Sequence, residues 1–369
     1  MSSIGSHGRV TRSEWRVASA GSDKQHSPLT TNHSLLIAIL SLLPTLLLGQ
    51  DVHFSQFYNS PLTLNPALTG AIETDQRFAL IHRSQWQSMG APFRTFAFSY
   101  DTPILRGKMK GRYIGIGGNA YTDKAGRSGF GDTQANLSVA YGMRTTDDAI
   151  LAFAIQGGYG QRSAVLDGLR WDAQYDGSGF DPSRATGENI ANASTSFVDF
   201  SAGVAWQQYE SKDIQWTAGA SVYHLNQPSV TLFSTNDDKL LRRFTVHAAT
   251  RITTKRWIYL PKVYGSQQGG SREIVVGGLL HRRVGQDSRY TTDKTSSSFY
   301  IGAFYRWQDA IVPMMQIEYK RMLTIGLSYD VNISDLSDAT RYRGGMELTL
   351  QYIGAFSDKR RKLPKASVM

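Results

Sequence analysis

The stretch from Asp172 to Asp181, DAQYDGSGFD, has the makings of a calcium loop: closely spaced carboxylates, with glycines that let oxygen ligands converge. Its spacing is wrong for that chemistry. The twelfth position counted from Asp172 is Ser183, where a bidentate Glu would be needed, so the stretch reads as an Asp/Gly-rich turn. Gly115-x-Gly117-x-x-Ala120 matches a relaxed dinucleotide fingerprint, but it sits in a strand pattern with no helix after it, as glycines in a sheet wall would. His53, His82, His224, His247 and His281 show no pairing at metal-ligand spacing. The chain has no cysteine, which excludes disulfides, thiolate catalysis and Cys-ligated metals. There is no G-x-S-x-G elbow, no P-loop and no carboxylate pair on one strand face. No catalytic, cofactor or metal site is therefore assigned, and the chain is expected not to be an enzyme.

The elements that would carry any site are strands. From about residue 77 onward the sequence alternates in segments of roughly ten residues, separated by turn chemistry. Leu323, Ile325, Leu327 and Tyr329 alternate with Thr324, Gly326, Ser328 and Asp330; Met346, Leu348, Leu350 and Tyr352 alternate with Glu347, Thr349 and Gln351. The same pattern runs through 197–207 and 213–223. A period of two puts the apolar set on one face of a sheet and the small polar set on the other. Aromatic residues gather near segment ends (Tyr141, Tyr159, Trp206, Trp216, Trp307, Tyr319, Tyr329, Tyr352), as an interfacial girdle requires. About fourteen such segments run from 77–86 to 344–353; the weakest is 256–264, where Pro261 would interrupt a ladder. The stretches 161–195, 226–241, 283–297 and 332–342 are the long connections and the natural partner surfaces.

Composition agrees: charged residues make up 19%, aromatics 11%, with 35 glycines and a mean hydropathy of −0.32. These values suit a barrel that hides its lipid face by alternation. The net charge of +10 is dispersed. Residues 1–50 carry a surplus of two and 357–369 a surplus of four, leaving four for the body, so no basic stripe for nucleic acid is formed. Ser34–Gly49 is an apolar run after a basic lead. It is shorter than the roughly 20 residues a spanning helix needs, and it is broken by Pro44, so it reads as an export signal cleaved near residue 50. The expected fold is thus all-β, a transmembrane antiparallel outer-membrane barrel of about fourteen strands. Its parts are a signal with extended lead (1–50), an ordered N-terminal segment (51–76) that could plug or cap the periplasmic mouth, the barrel (77–356) and a basic tail (357–369).

The most distinctive stretch precedes the first strand: HFSQFYNSPLTLNPALTG, His53 to Gly70. It holds too much Asn and Pro for a strand, yet it is apolar enough to pack. It resembles the opening of the PorP/SprF family of outer-membrane proteins of Bacteroidetes. Arg83-Ser-Gln-Trp86, Phe98-Ser-Tyr-Asp101, the run from Gly219 to Pro228 and the run from Ile325 to Asn332 are also similar to that family. Val52 departs from it, since Pro is common there, and so does the long lead before the signal. The resemblance implies a component of the type IX secretion system that supports secretion, surface anchoring or gliding through a secreted client such as an adhesin. Its implied partners are that client, periplasmic secretion-system subunits and outer-membrane lipid. His53, Phe54, Gln56, Phe57, Tyr58, Asn65 and Pro66 are the candidate partner-binding residues. The rival readings are a passive porin or solute channel and, less well supported, a barrel enzyme.

Overall fold

In the computed structural model the alternating segments form fourteen antiparallel strands that close on themselves. The structure describes residues 51–354 apart from 87–91, 107, 110, 127, 166–168, 188–193, 233–237, 285–296, 335–336 and 338–340. The expected signal (1–50) and basic tail (357–369) lie outside the described residues.

The strands are β1 (Gln76–Gln85), β2 (Phe93–Ile104), β3 (Arg112–Ala125), β4 (Phe130–Thr146), β5 (Ala149–Ser163), β6 (Ser194–Gln208) and β7 (Ile214–Tyr223). They continue with β8 (Arg243–Thr253), β9 (Ile258–Gln268), β10 (Ser271–Val284), β11 (Ser297–Arg306), β12 (Ala310–Tyr319), β13 (Leu323–Asn332) and β14 (Arg343–Gly354). Each pairs with its sequence neighbours, and β1 pairs with β14 from Gln76↔Gly354 to Gln85↔Gly345, which closes the wall and leaves no edge. Closure is what a membrane demands, because lipid offers no hydrogen-bond partner to a free edge.

Pro261 and Pro313 show how the wall absorbs a missing donor. The β8–β9 pairing stops between Ala249↔Lys262 and Ile252↔Tyr259, while β9–β10 runs through Pro261↔Gly278. The β12–β13 pairing likewise skips Pro313. The segment the sequence marked as weakest is therefore a full strand with one interrupted side.

Alternation sorts the side chains sharply. Leu137 (75% exposed), Ile155, Ile301 and Val246 face outward, whereas every acidic residue within a strand (Asp101, Asp123, Asp132, Asp199, Glu273, Glu318, Asp330, Glu347) takes an inward position. Outward aromatics cluster towards the rims, as Trp206 and Trp216 do at 5.5 Å and Phe78 and Tyr100 at 4.5 Å. One rim carries both ends of the strand array and mostly short connections such as 147–148 and 320–322; the other carries 164–193 and 224–242. Short turns mark the periplasmic rim of an outer-membrane barrel and long loops the outer one. The connection 285–296, expected among the long loops, follows β10 and so joins strands at the periplasmic rim. At the outer rim, Val230 and Leu240, from the connection after β7, bury against the inward Phe197.

Lipid-facing position sets a depth-dependent cost. Leu137→Arg, at mid-strand, should destabilise the barrel by about 2–4 kcal/mol, and Phe244→Arg, beside the outer rim, by about 0–1 kcal/mol. Reversible folding into lipid vesicles would check the contrast.

Candidate functional site

Residues 51–75 form no strand; they run inside the barrel. Ser60-Pro61 and Asn65-Pro66 explain the local shape, because proline fixes φ at the first turn of a helix and drives its predecessor towards extended backbone. The result is a 3-10 turn at Phe57–Asn59, one helical turn at Pro61–Leu64 and a second 3-10 turn at Pro66–Leu68. Asn65 is extended (φ −160°, ψ 120°), and its Oδ1 accepts from the Ala67 amide at 2.9 Å as an N-cap.

Those turns bond several amides within the segment, from Asn59 to Ala71; the backbone groups between them must be met by inward side chains of the wall. Around Ser55 they form a charged cradle. The Ser55 and Gln56 amides donate to the two Glu347 carboxylate oxygens, each at 2.8 Å. The Ser55 hydroxyl donates to Asp330 at 2.6 Å and accepts from Arg83 (2.5 Å) and Arg306 (2.7 Å). Arg83 also pairs with Asp330 at 2.8 Å and Glu347 at 3.2 Å, and Arg306 with Asp330 at 3.1 Å. All four charged groups are buried. Gln56 bonds to Ser328 and accepts from Thr349, Gln316 and Asn59. His53 Nε2 lies 3.4 Å from Arg83. Burial, then the Arg83 and Arg306 charges, hold its pKa well below the ordinary value, so the ring is neutral and can accept.

The middle of the segment packs by shape. Phe57 stacks on Tyr264 with centroids 5.2 Å apart and meets Phe304 edge-on, and Tyr58 donates to the Met314 sulfur and accepts from Gln316 at 2.8 Å. Phe54 lies against Ile81 and Ala97. Leu62, Leu64 and Leu68 are fully enclosed, and such burial is worth about 1.5–3 kcal/mol per side chain. Across the lumen, the Asn65 amide donates to the Val204 and Ala220 carbonyls and meets His247 Nε2 at 3.1 Å. A Cβ at Gly203 would collide with Asn65, and one at Gly115 with Thr69. Those wall glycines make room for the segment, which is the use of the 115–120 glycines.

Two clamps hold the ends. Near the periplasmic rim the Gly70 amide donates to Asp101 at 2.7 Å; Asp101 also receives two Arg77 hydrogen bonds at 2.9 Å, and Arg77 reaches the Leu68 carbonyl. Beyond it, Arg106 donates to the Gly70 and Ile72 carbonyls. Near the outer rim Asp51 meets His224 Nε2 at 2.5 Å, Arg243 at 3.4 Å and the Gln268 amide at 3.0 Å. His224 Nδ1 lies 3.0 Å from Asp199, close enough for charge attraction but not aligned as a hydrogen bond. Burial alone would lower the His224 pKa, yet Asp51 and Asp199 outweigh it and push it up to about 9. Burial alone would raise Asp51; His224 and Arg243 outweigh that and hold it well below the carboxylate range.

All seven candidate residues lie in the lumen. Gln56, Phe57, Tyr58, Asn65 and Pro66 are fully buried, Phe54 nearly so, and His53 is half-buried under Arg83. The sequence did not mark Asp51, Ser55 or Asn59 as site residues, nor the charged wall partners of Ser55, which are Arg83, Arg306, Asp330 and Glu347. Their signal was present all the same, as charge at inward strand positions. In the 172–181 stretch Asp176 and Asp181 accept from Ser178 and Ser183 in local turns, and no acidic or histidine cluster among the described residues could hold a metal. At the periplasmic mouth a cavity of about 450 Å³ opens between Ile72, Arg106, Tyr113, Arg144 and Tyr209. The Tyr113 hydroxyl and the nearby Thr217 hydroxyl are buried without a hydrogen-bond partner among the described residues.

A closed fourteen-strand wall with an apolar outside, aromatic rims and a polar inside is an outer-membrane β-barrel. Its sequence matches the family of type IX secretion system membrane proteins PorP/SprF over residues 47–352, and the chain belongs to that family. No curated protein matches it. Among solved structures it is similar to the toluene transporter TbuX of Ralstonia pickettii (11% identity over 81% of this chain and 94% of that one, TM-score 0.46). It is also similar to the CymD monoaromatic hydrocarbon channel (9% over 81% and 93%, TM-score 0.45) and the KdgM porin (8% over 75% and 98%, TM-score 0.32).

Removing one member of the charged cradle strands the others. Arg83→Met should cost about 3–5 kcal/mol by leaving Glu347 and Asp330 short of a cation, and adding Glu347→Gln should recover part of it. Heat-modifiability on gels would measure both.

The outer clamp should respond to pH. His224 contributes fully below its ordinary value of 6.5, and the contribution is lost as pH rises through about 9. Asp51 contributes fully above 3.8 and loses it as pH falls towards its depressed value. Because exchange is base-catalysed in itself, the readout is the protection factor: that of the Asp51 amide, which donates to Gln268, should fall on the alkaline side, and His224→Gln should flatten that fall.

Proposed function

We propose that this barrel works in type IX secretion without catalysis, supporting the secretion or surface anchoring of a partner protein such as an adhesin, and that residues 51–76 serve as its plug. The observation that carries the proposal is the hydrogen bonding of the segment from Ser55 to Gly70 with wall residues on both sides of the lumen. A passive porin needs a continuous aqueous path, and here the segment stands in it, with Val230 and Leu240 packed on the inward Phe197 at the outer rim. The burial of the candidate residues gives them a partner-binding role only if the segment leaves the lumen; while it is seated they set the shape of the plug. A partner in the periplasm would then meet the mouth cavity beside Ile72 and Arg106.

Two measurements test this. Loss of the protein should abolish surface display of one secreted partner while leaving uptake of small hydrophilic solutes nearly unchanged; normal display would defeat the proposal. In planar bilayers the intact barrel should conduct poorly and a barrel lacking residues 52–70 should conduct. A large steady conductance in the intact protein would favour the porin reading.

A further inference from the structure

The outward wall carries no acidic residue within its strands, so basic residues there have no partner of their own face to neutralise them. Arg112, Arg272 and Arg282 are spread around the barrel. His82, Arg94 and Lys124 are together. Arg94 and Lys124 are direct cross-strand partners on β2 and β3, and His82 lies opposite Phe96, one step along the same face of β1. All three are exposed, and none makes a side-chain hydrogen bond or ion pair among the described residues. They edge a groove of about 490 Å³ whose floor includes Phe96, Pro92 and Thr122.

The position of the groove is informative. Arg94 is the second residue of β2 and Lys124 the penultimate residue of β3, so the cations sit beside the outer rim. Below them, one and two outward steps towards mid-wall, come the half-exposed Phe96 and Phe98, then Tyr100. Each step of two residues is about 7 Å along a strand. A cationic shelf above an aromatic column matches a lipid with an anionic headgroup above its acyl chains. A soluble anion would match the shelf alone.

We propose that this groove binds a phosphate-bearing lipid headgroup of the outer leaflet, with Arg94 and Lys124 straddling the phosphate, His82 at its side and the acyl chains against Phe96 and Phe98. Arg94 supplies a planar fork suited to phosphate oxygens and Lys124 a point charge. The lipid neutralises the patch, which is otherwise a liability on a lipid-facing wall.

The test uses the full-length protein purified in neutral detergent and titrated with a bis-phosphorylated lipid A, with the same glycolipid stripped of phosphate, and with inorganic phosphate. The wild-type barrel should bind the phosphorylated lipid and discriminate against the stripped one. The double variant Arg94→Gln/Lys124→Gln should weaken binding about thirtyfold, from roughly fivefold per cation. Arg112→Gln, at the other rim, should leave binding unchanged and serve as the folded control, and Arg94→Lys should retain most of it. Equal binding of both lipids, an unchanged double variant, or an equal loss in Arg112→Gln would overturn the proposal. Displacement of the lipid by millimolar inorganic phosphate would overturn its assignment to a lipid.

Discussion

Everything inside this barrel depends on one requirement: a stretch of chain that is not a strand must have its backbone satisfied in a space without bulk water. The wall solves its own version of the problem by closing β1 on β14. The segment 51–75 has no such ladder. Its short turns bond some amides internally, from Asn59 to Ala71, and the remaining groups are met by side chains projecting inward, most densely where Glu347 receives two consecutive amides and Asp330, Arg83 and Arg306 converge on the Ser55 hydroxyl. A buried ionic cluster of this kind adds little net stability compared with apolar packing; its value is geometric, since a shifted segment would leave several charges unpaired at once. The cradle thus selects one position for the segment along the lumen, and the aromatic contacts of Phe57 and Tyr58 fill the space that this position leaves.

The same requirement accounts for details of the wall. Inward glycines at Gly115 and Gly203 stand where the backbone or Asn65 of the segment comes too close for a Cβ. The strand acids all point inward because the outer face meets hydrocarbon, and the inner face offers arginines and amides to pair them. The charged residues on the outer face of the strands are all basic and lie towards the rims.

Much of this was legible in the sequence, and for a simple reason. A closed sheet between lipid and a polar interior imposes a strict period of two, and that period shows in Leu323–Asp330 or Met346–Gln351 with no knowledge of contacts. Strand number and the oddity of His53–Gly70 were readable on the same grounds. The pairing of Ser55 with Glu347 was not, because 292 positions separate them and nothing local in either sequence points to the other. Pro261 misled as to strength because a proline weighs against any strand, whereas an outward proline in a barrel interrupts only one of its two ladders.

Membership in a secretion-system family and a filled lumen fit together if the barrel is a holder rather than a conduit, offering its rims to partners while its interior stays closed. That account stands on residues 52–70 being seated in the lumen of the membrane-embedded protein. Hydrogen–deuterium exchange on the barrel in its own outer membrane tests this most directly. Seating predicts that the amides of Ser55, Gln56 and Gly70 exchange as slowly as those of the strands around them. Exchange within seconds, at the rate of an unstructured linker, would contradict it.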